Sequence, residues 1–202
     1  MRSRILAILT VCASACSGAP TSPSGPARVT GRVVDYLTGA GVPGASVTFG
    51  QAVFSDAIHF TVSAPHAAVA DASGSYAVSL PAAARYDVVI DGGLIGSAEI
   101  TAPSYRGDLF ARTGTCVARY GTLADAETRR PIANAAVSVA GGSAITGADG
   151  WYRIDLGCPE NGQLGFGTTL IYFTHPAYAD ASQVVGRGVS GVVRLDFTLK
   201  RR

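Results

Sequence analysis

Three histidines, fourteen carboxylates and four cysteines are the side chains of this 202-residue chain best equipped for acid–base, metal or nucleophilic chemistry. Their spacing gives them little to work with. His59, His66 and His175 fall in no metal-ligand or nucleophile–base arrangement, and no Ser sits in a Gly-x-Ser-x-Gly elbow. The carboxylates occur singly, in turns and at outward strand positions, where they read as turn-capping or solvated groups. Gly39-Ala40-Gly41-Val42-Pro43-Gly44 and Gly186-Arg187-Gly188-Val189-Ser190-Gly191 have glycine spacing that suits a pyrophosphate only where a helix starts, and strand-like sequence follows both. No metal, no cofactor and no enzymatic turnover is therefore expected. The surface residues with the most recognition chemistry are Trp151 and Arg153. If Tyr152, Ile154 and Leu156 face inward, these two face outward, where Trp beside Arg can stack on a sugar ring or anchor a protein contact. The plainer reading is that Trp151 covers a neighbouring loop or an inter-module contact.

What must position these residues is a pattern written twice. Gly31, Asp35, Thr38, Ala45 and Val47 recur ninety positions on as Gly121, Asp125, Thr128, Ala135 and Val137. Gly74-Ser75-Tyr76-Ala77-Val78-Ser79-Leu80 matches Gly150-Trp151-Tyr152-Arg153-Ile154-Asp155-Leu156 at an offset of 76, so the first copy carries 14 extra residues between the blocks. Two copies of one module are implied. Short alternating stretches set the class as all-β: Val29, Gly31 and Val33; Tyr76, Val78 and Leu80; Tyr86, Val88 and Ile90. Asp149-Gly150 reads as a hairpin turn. The clearest strand is the last, with Val193, Leu195, Phe197 and Leu199 inward and Arg194, Asp196, Thr198 and Lys200 outward. The extra segment, Ala52 to Val62, alternates well enough for a lengthened strand, either paired internally or offering an edge to another chain.

Met1-Arg2-Ser3-Arg4 followed by the apolar run Ile5 to Val11 reads as a secretory leader, too short to span a bilayer. Ala13-Ser14-Ala15-Cys16 resembles the lipobox of bacterial lipoproteins, which implies acylation of Cys16 and cleavage before it. Ser17 does not resemble an inner-membrane retention signal, so an outer membrane is favoured. Residues 17–26 are Ser-, Gly- and Pro-rich, a semi-extended tether reaching about 30 Å at ~3.1 Å per residue. Removing Arg2 and Arg4 leaves basic and acidic residues equal in number, which disfavours nucleic acid. Cys116 and Cys158 then remain as an even pair in an oxidising compartment, and a disulfide is expected; a metal pair would lack further ligands. The bridge would close a loop of about 40 residues, worth on the order of 3 to 4 kcal/mol in the chain-entropy picture.

Gly121-Thr122-Leu123-Ala124-Asp125, Thr128, Pro131 to Val139 and Thr146 to Tyr152 resemble the carboxypeptidase regulatory-like domain. Gly31 to Asp35, Val42 to Val47 and Asp71 to Tyr76 resemble it again, and His175-Pro176-Ala177-Tyr178 is similar to its late Pro-Gly-Tyr segment. The resemblance implies two tandem prealbumin-like (Ig-like, Greek-key) β-sandwiches of about seven strands each. The expected layout is a signal peptide over 1–15, lipidated Cys and tether over 16–26, and modules over 27–112 and 113–202. Tyr105-Arg106-Gly107 is similar to the terminal motif of transthyretin-like hydroxyisourate hydrolases but is mid-chain and lacks their early His. Arg106-Gly107-Asp108 is an integrin-type tripeptide of a kind that arises by chance, and Lys200, the only Lys, is near the terminus rather than inside a strand as isopeptide-forming adhesins require. The functional expectation is a non-enzymatic, membrane-anchored, extracytoplasmic structural or protein-interaction module. Its partners would be membrane lipid through Cys16 and an envelope protein, or alternatively a glycan on the exposed face of the second module.

Overall fold

A computed structural model describes residues 25–56, 59–100, 105, 107–111, 113–159, 169–185 and 191–202. The leader, Cys16 and most of the tether lie outside the described residues. The described chain is all-β. The first module contains β1 (Ala27–Asp35), β2 (Ser46–Phe54), β3 (Phe60–Val69), β4 (Ser75–Leu80), β5 (Arg85–Ile90), β6 (Gly93–Glu99) and β7 (Leu109–Ala111). The second contains β8 (Val117–Asp125), β9 (Ala136–Val139), β10 (Gly142–Ile145), β11 (Trp151–Gly157), β12 (Thr169–Thr174), β13 (Ala181–Val185), β14 (Val192–Leu195) and β15 (Phe197–Leu199). β14 and β15 are one strand interrupted at Asp196, and both run parallel to β8.

Each module is a two-sheet sandwich around its own apolar cluster. Val29, Val33, Val47, Phe49, Val78 and Val88 centre the first, and Leu123, Val137, Ile154, Ile171, Phe173 and Val193 the second. The duplication holds at the level of hydrogen-bond register. Gly31 faces Tyr76 where β1 pairs β4, and Gly121 faces Tyr152 where β8 pairs β11. Both tyrosines donate to the carbonyl of the returning segment, Tyr76 to Gly107 O and Tyr152 to Leu195 O. The glycines opposite are required by that close return, since a Cβ on Gly121 would stand 2.2 Å from Leu195 O.

The turn glycines have a similar cause. Gly39 and Gly44 hold φ of 70° and 73°, and Arg129 and Asn134 take the same left-handed conformation in the second copy, each at φ 59°. The glycine fingerprint thus serves a turn; of the second stretch only Gly191 is described. Asp149-Gly150 is a turn with positive φ, but it crosses between sheets, because β10 pairs β9 and β11 pairs β8. The tight hairpin with positive φ at both central residues is Asp91-Gly92, joining β5 to β6.

The 14 extra residues of the first copy lengthen the β2–β3 hairpin, which is paired internally from Ser46–Val69 to Phe54–Phe60. The outer strand β3 is broken in its middle, where Ala64 takes φ 47° and Ala64-Pro65 oppose Gly50 alone. In the second module the disulfide Cys116–Cys158 joins the start of β8 to the end of β11 across 42 positions of sequence.

Asp125 anchors the second module's first turn. Its Oδ1 accepts from the Glu127 and Thr128 amides, and its Oδ2 from Tyr178 Oη at 2.9 Å and Arg201 Nε at 2.8 Å. Burial favours the neutral acid, but these donors outweigh it and hold the Asp125 carboxyl far below the usual range. A depressed folded pKa means that the stabilisation is complete above the unfolded value near 4 and is lost as pH falls below it. Asp125→Asn should therefore flatten the acid limb of the thermal-stability profile between about pH 4 and pH 2, as read by circular dichroism. An unchanged limb would place the acid-sensitive group elsewhere.

Candidate functional site

The C-terminal strand carries the densest polar chemistry of the molecule. β14 lies between β8 of its own module and β6 of the other, parallel to both, so one sheet runs β11-β8-β14-β6-β5-β2-β3 through the two modules. Alternation then points its side chains into two different interiors. Val193 and Leu195 enter the second module's core, as expected. Arg194 and Asp196 do point away from that core, but the first module covers them and they are 0% and 1% exposed rather than solvated.

A buried guanidinium is tolerable only if other groups replace its hydration. Asp196 Oδ2 accepts from Arg194 Nε and Nη2, both at 3.3 Å, from the Glu99 amide at 3.0 Å and from Tyr105 Oη at 2.7 Å. Its Oδ1 accepts from the Thr122 amide at 2.8 Å. Arg194 Nη1 donates to Asp108 O at 2.7 Å, and the guanidinium carbon lies 4.8 Å from the Tyr105 ring centroid, 5.5 Å from Trp151 and 5.9 Å from Tyr120. Burial works against the charge on Arg194, but Asp196 and the surrounding hydroxyls outweigh it and raise its pKa. Burial likewise pushes the Tyr120 hydroxyl up to about 12 and that of Tyr105 well above its ordinary value.

Beside this pair runs a ladder of rings across the seam between modules. Tyr36 meets Phe110 at 5.4 Å, Phe110 meets Tyr120 at 4.8 Å, both edge-on, and Tyr120 meets Trp151 at 5.6 Å. Arg153 lies over Tyr36 at 4.6 Å and Phe110 at 4.9 Å, and its Nε pairs with Asp155 at 2.8 Å, whose carboxylate also accepts from Tyr36 Oη. Arg129 of the second module pairs with Glu99 of the first at 2.7 Å. The backbones meet as closely: Gly96 has φ 130°, and a Cβ there would stand 2.0 Å from Arg194 O. At the same ladder position the second module has Gln183, opposite Ile171 as Gly96 is opposite Val88.

The structure thus gathers Trp151 and Arg153 at the seam, against Tyr120, Tyr36 and Phe110, and bonds Cys116 to Cys158. Cys16 and Arg106 lie outside the described residues, so neither the lipidation site nor the two tripeptides containing Arg106 is described as a whole. The histidines stay apart: His59 lies 2.7 Å from Asp56, His66 faces Phe49 in the β2–β3 ladder, and His175 packs on Tyr178. Among the described residues, no group of three or more His, Cys, Asp or Glu is placed to hold a metal ion. A shallow surface cavity of about 300 Å³ is lined by Asn134, Thr174, His175, Asp180 and Arg202, and Asp180 and Arg202 are already paired across it at 3.2 Å. Sequence reasoning missed Gly96 and the burial of Arg194 and Asp196, marked β6 only through Ile100 beside its end, and read Tyr105 only as part of a tripeptide motif. An Arg and an Asp two apart on one face of an otherwise apolar strand were the available signal.

No protein-family model and no curated protein matches the chain. Among solved structures it is similar to the TIE protein of Bacillus anthracis, at 14% identity over 88% of this chain and 35% of that one, with a TM-score of 0.31. It is also similar to the shaft pilin SpaA of Lactobacillus rhamnosus GG, at 11% identity over 88% and 98%, TM-score 0.32. A 9R-lipoxygenase from Cyanothece PCC8801 matches 48% of this chain with 18% of its own, at 15% identity and TM-score 0.29.

The seam makes a specific demand at Gly96. Gly96→Ala should detach β14 from β6 while leaving both apolar clusters in place, so that fluorescence of Trp151, the single Trp, shifts at a lower urea concentration than the far-UV dichroism. Coincident transitions would show that the modules do not depend on this contact. Asp196→Ala should cost about 3 to 5 kcal/mol because it leaves Arg194 buried without its counter-charge, and the double replacement Arg194→Met, Asp196→Leu should recover much of that loss.

Proposed function

We propose that the chain is a non-enzymatic, lipid-anchored extracytoplasmic protein whose two sandwiches, at 27–112 and 113–202, form one stiff body used as a spacer or protein-interaction module at the cell envelope. One observation carries the reading: the side chains with most chemical potential, Arg194, Asp196, Tyr105, Trp151 and Arg153, are spent on joining the modules. A joint of this kind resists bending, as a spacer must. The disulfide favours an oxidising compartment, in keeping with the leader-like N-terminal sequence. Among the described residues no helix is long and apolar enough to cross a membrane. Attachment is assigned to acylated Cys16, with the outer membrane favoured.

A second reading, glycan binding on the exposed face of the second module, is supported at a different place from Trp151. The sheet β10-β9-β12-β13 has no charged residue in its strands, and on its outer face Tyr172, 47% exposed, stands between Ser138 and Ser182 in register. An exposed phenol ring amid hydroxyls suits a neutral sugar.

Mass spectrometry of the mature protein should find an N-terminal Cys16 bearing acyl chains, and any other unmodified terminus would overturn the anchor. On a glycan array, Tyr172→Ala should abolish any sugar retained by the wild type; an array on which the wild type retains nothing removes the second reading.

A further inference from the structure

The lengthened β2–β3 hairpin of the first module has no counterpart in the second, where β9 and β10 are joined at Ala140-Gly141. Strand directions show where it points. β1 begins at Ala27 opposite Leu80, the end of β4, and a short connection leads to Arg85, the start of β5. β2 runs antiparallel to β5, with Gly50 opposite Asp87, so Gln51 to Phe54 continue toward and past the start of β5. The hairpin tip therefore projects from the pole at which the chain enters the first module. The seam adds to the same pole, since Glu99, at the end of β6, meets Arg129 in the second module's first turn.

The tip carries the Phe54–Phe60 pair on one face and Val53 beside Thr61 on the other. Val53 is 55% exposed and Phe54 is 44% exposed, and the Phe54 ring packs on Phe60 at 5.6 Å. Its turn carries Asp56, whose carboxylate accepts from the His59 amide and lies 2.7 Å from His59 Nδ1. The pole bears both signs of charge, Arg28, Arg85, Arg130 and Lys200 against Glu127 and Asp180 among others, whereas the opposite pole carries Asp35, Asp71, Asp91 and Asp155 with Arg32 and Arg153.

We infer that this hairpin is a membrane-contact element: Val53, Phe54 and Phe60 enter the interfacial layer of the bilayer that holds acylated Cys16, and the acidic pole faces away. The inference rests on the lipid-anchor reading above. The chain between Cys16 and Ala27 decides the occupant. It leaves from this same pole with a reach of about 30 Å, so the anchoring membrane is the surface the tip meets first. The exposed Phe54 ring, with half-buried Phe60 packed against it, and Val53 partition into the interface by apolar area, and with both charge signs around them the contact needs no anionic lipid.

The test uses the full mature protein, with Cys16 acylation checked by mass spectrometry, in phosphatidylcholine vesicles carrying brominated acyl chains. Phe54→Trp should add a blue-shifted emission quenched by bromine, whereas wild-type protein, reporting through Trp151 alone, and Leu37→Trp at the other pole should be unquenched. Phe54→Ser with Phe60→Ser, both on the exposed tip, should leave the dichroism unchanged and make the hairpin about tenfold or more accessible to protease on vesicles. An acylated Phe54→Trp protein whose added emission is unquenched overturns the hairpin contact and leaves the anchor standing. A protein without acyl chains overturns the anchor instead, and quenching of the same variant after flotation with vesicles then decides the hairpin separately: quenching supports it, and its absence removes it.

Discussion

A guanidinium cut off from water has to be supplied with a counter-charge, acceptors and polarisable faces, and no single module of this chain can supply them for Arg194. The strand that carries Arg194 and its partner Asp196 belongs to the second module, but the Tyr105 hydroxyl, the Glu99 amide and the Asp108 carbonyl come from the first. Separation of the modules would expose the pair to partial solvation and leave the Tyr36–Phe110–Tyr120–Trp151 ladder half covered. Replacing such a pair with apolar residues is often neutral or better for stability, so its value here lies in registration. The charge pair, the ring ladder and the Gly96 approach are satisfied together in one relative position of the two sandwiches.

The duplicated framework shows which features belong to the module and which to the joint. Turn geometry, the facing Gly–Tyr pairs and the tyrosine bond to the returning strand occur in both copies and serve each sandwich alone. Gly96, Arg153 and Asp155 occur once and act between copies, whereas Asp196 has a counterpart in Asp108, whose Oδ1 accepts from the Arg32 amide as Asp196 Oδ1 does from the Thr122 amide. The outer strand β13, equivalent to β6, keeps Gln183 where the joint would need a glycine.

Much of the fold was legible because it rests on local rules. Period-two alternation placed Val78, Val88, Ile154 and Leu199 inside, and the positive-φ positions announced themselves through Gly39, Gly44 and Gly150. Apart from Trp151, whose plainer reading was cover for a neighbouring loop or an inter-module contact, the joint was not legible, for a physical reason. Arg194 and Trp151 were read correctly as facing away from their own core, but alternation reports only the face a side chain takes and not what stands opposite it. β6, with glycines at both Gly93 and Gly96 and no clean alternation, lacks the pattern by which a strand is recognised. The same glycine that hides the strand in the sequence permits the backbone approach that makes it a joint.

The interrupted outer strand β3 bears on how such molecules behave in numbers. Copies at high concentration meet often, and a long row of unsatisfied amides at a sheet edge would zip them into ribbons. Pro65 contributes no amide hydrogen, and the kink at Ala64-Pro65 interrupts the flat ladder that a neighbour would have to match. Crowded copies can thus stay a population of individuals instead of setting into fibres.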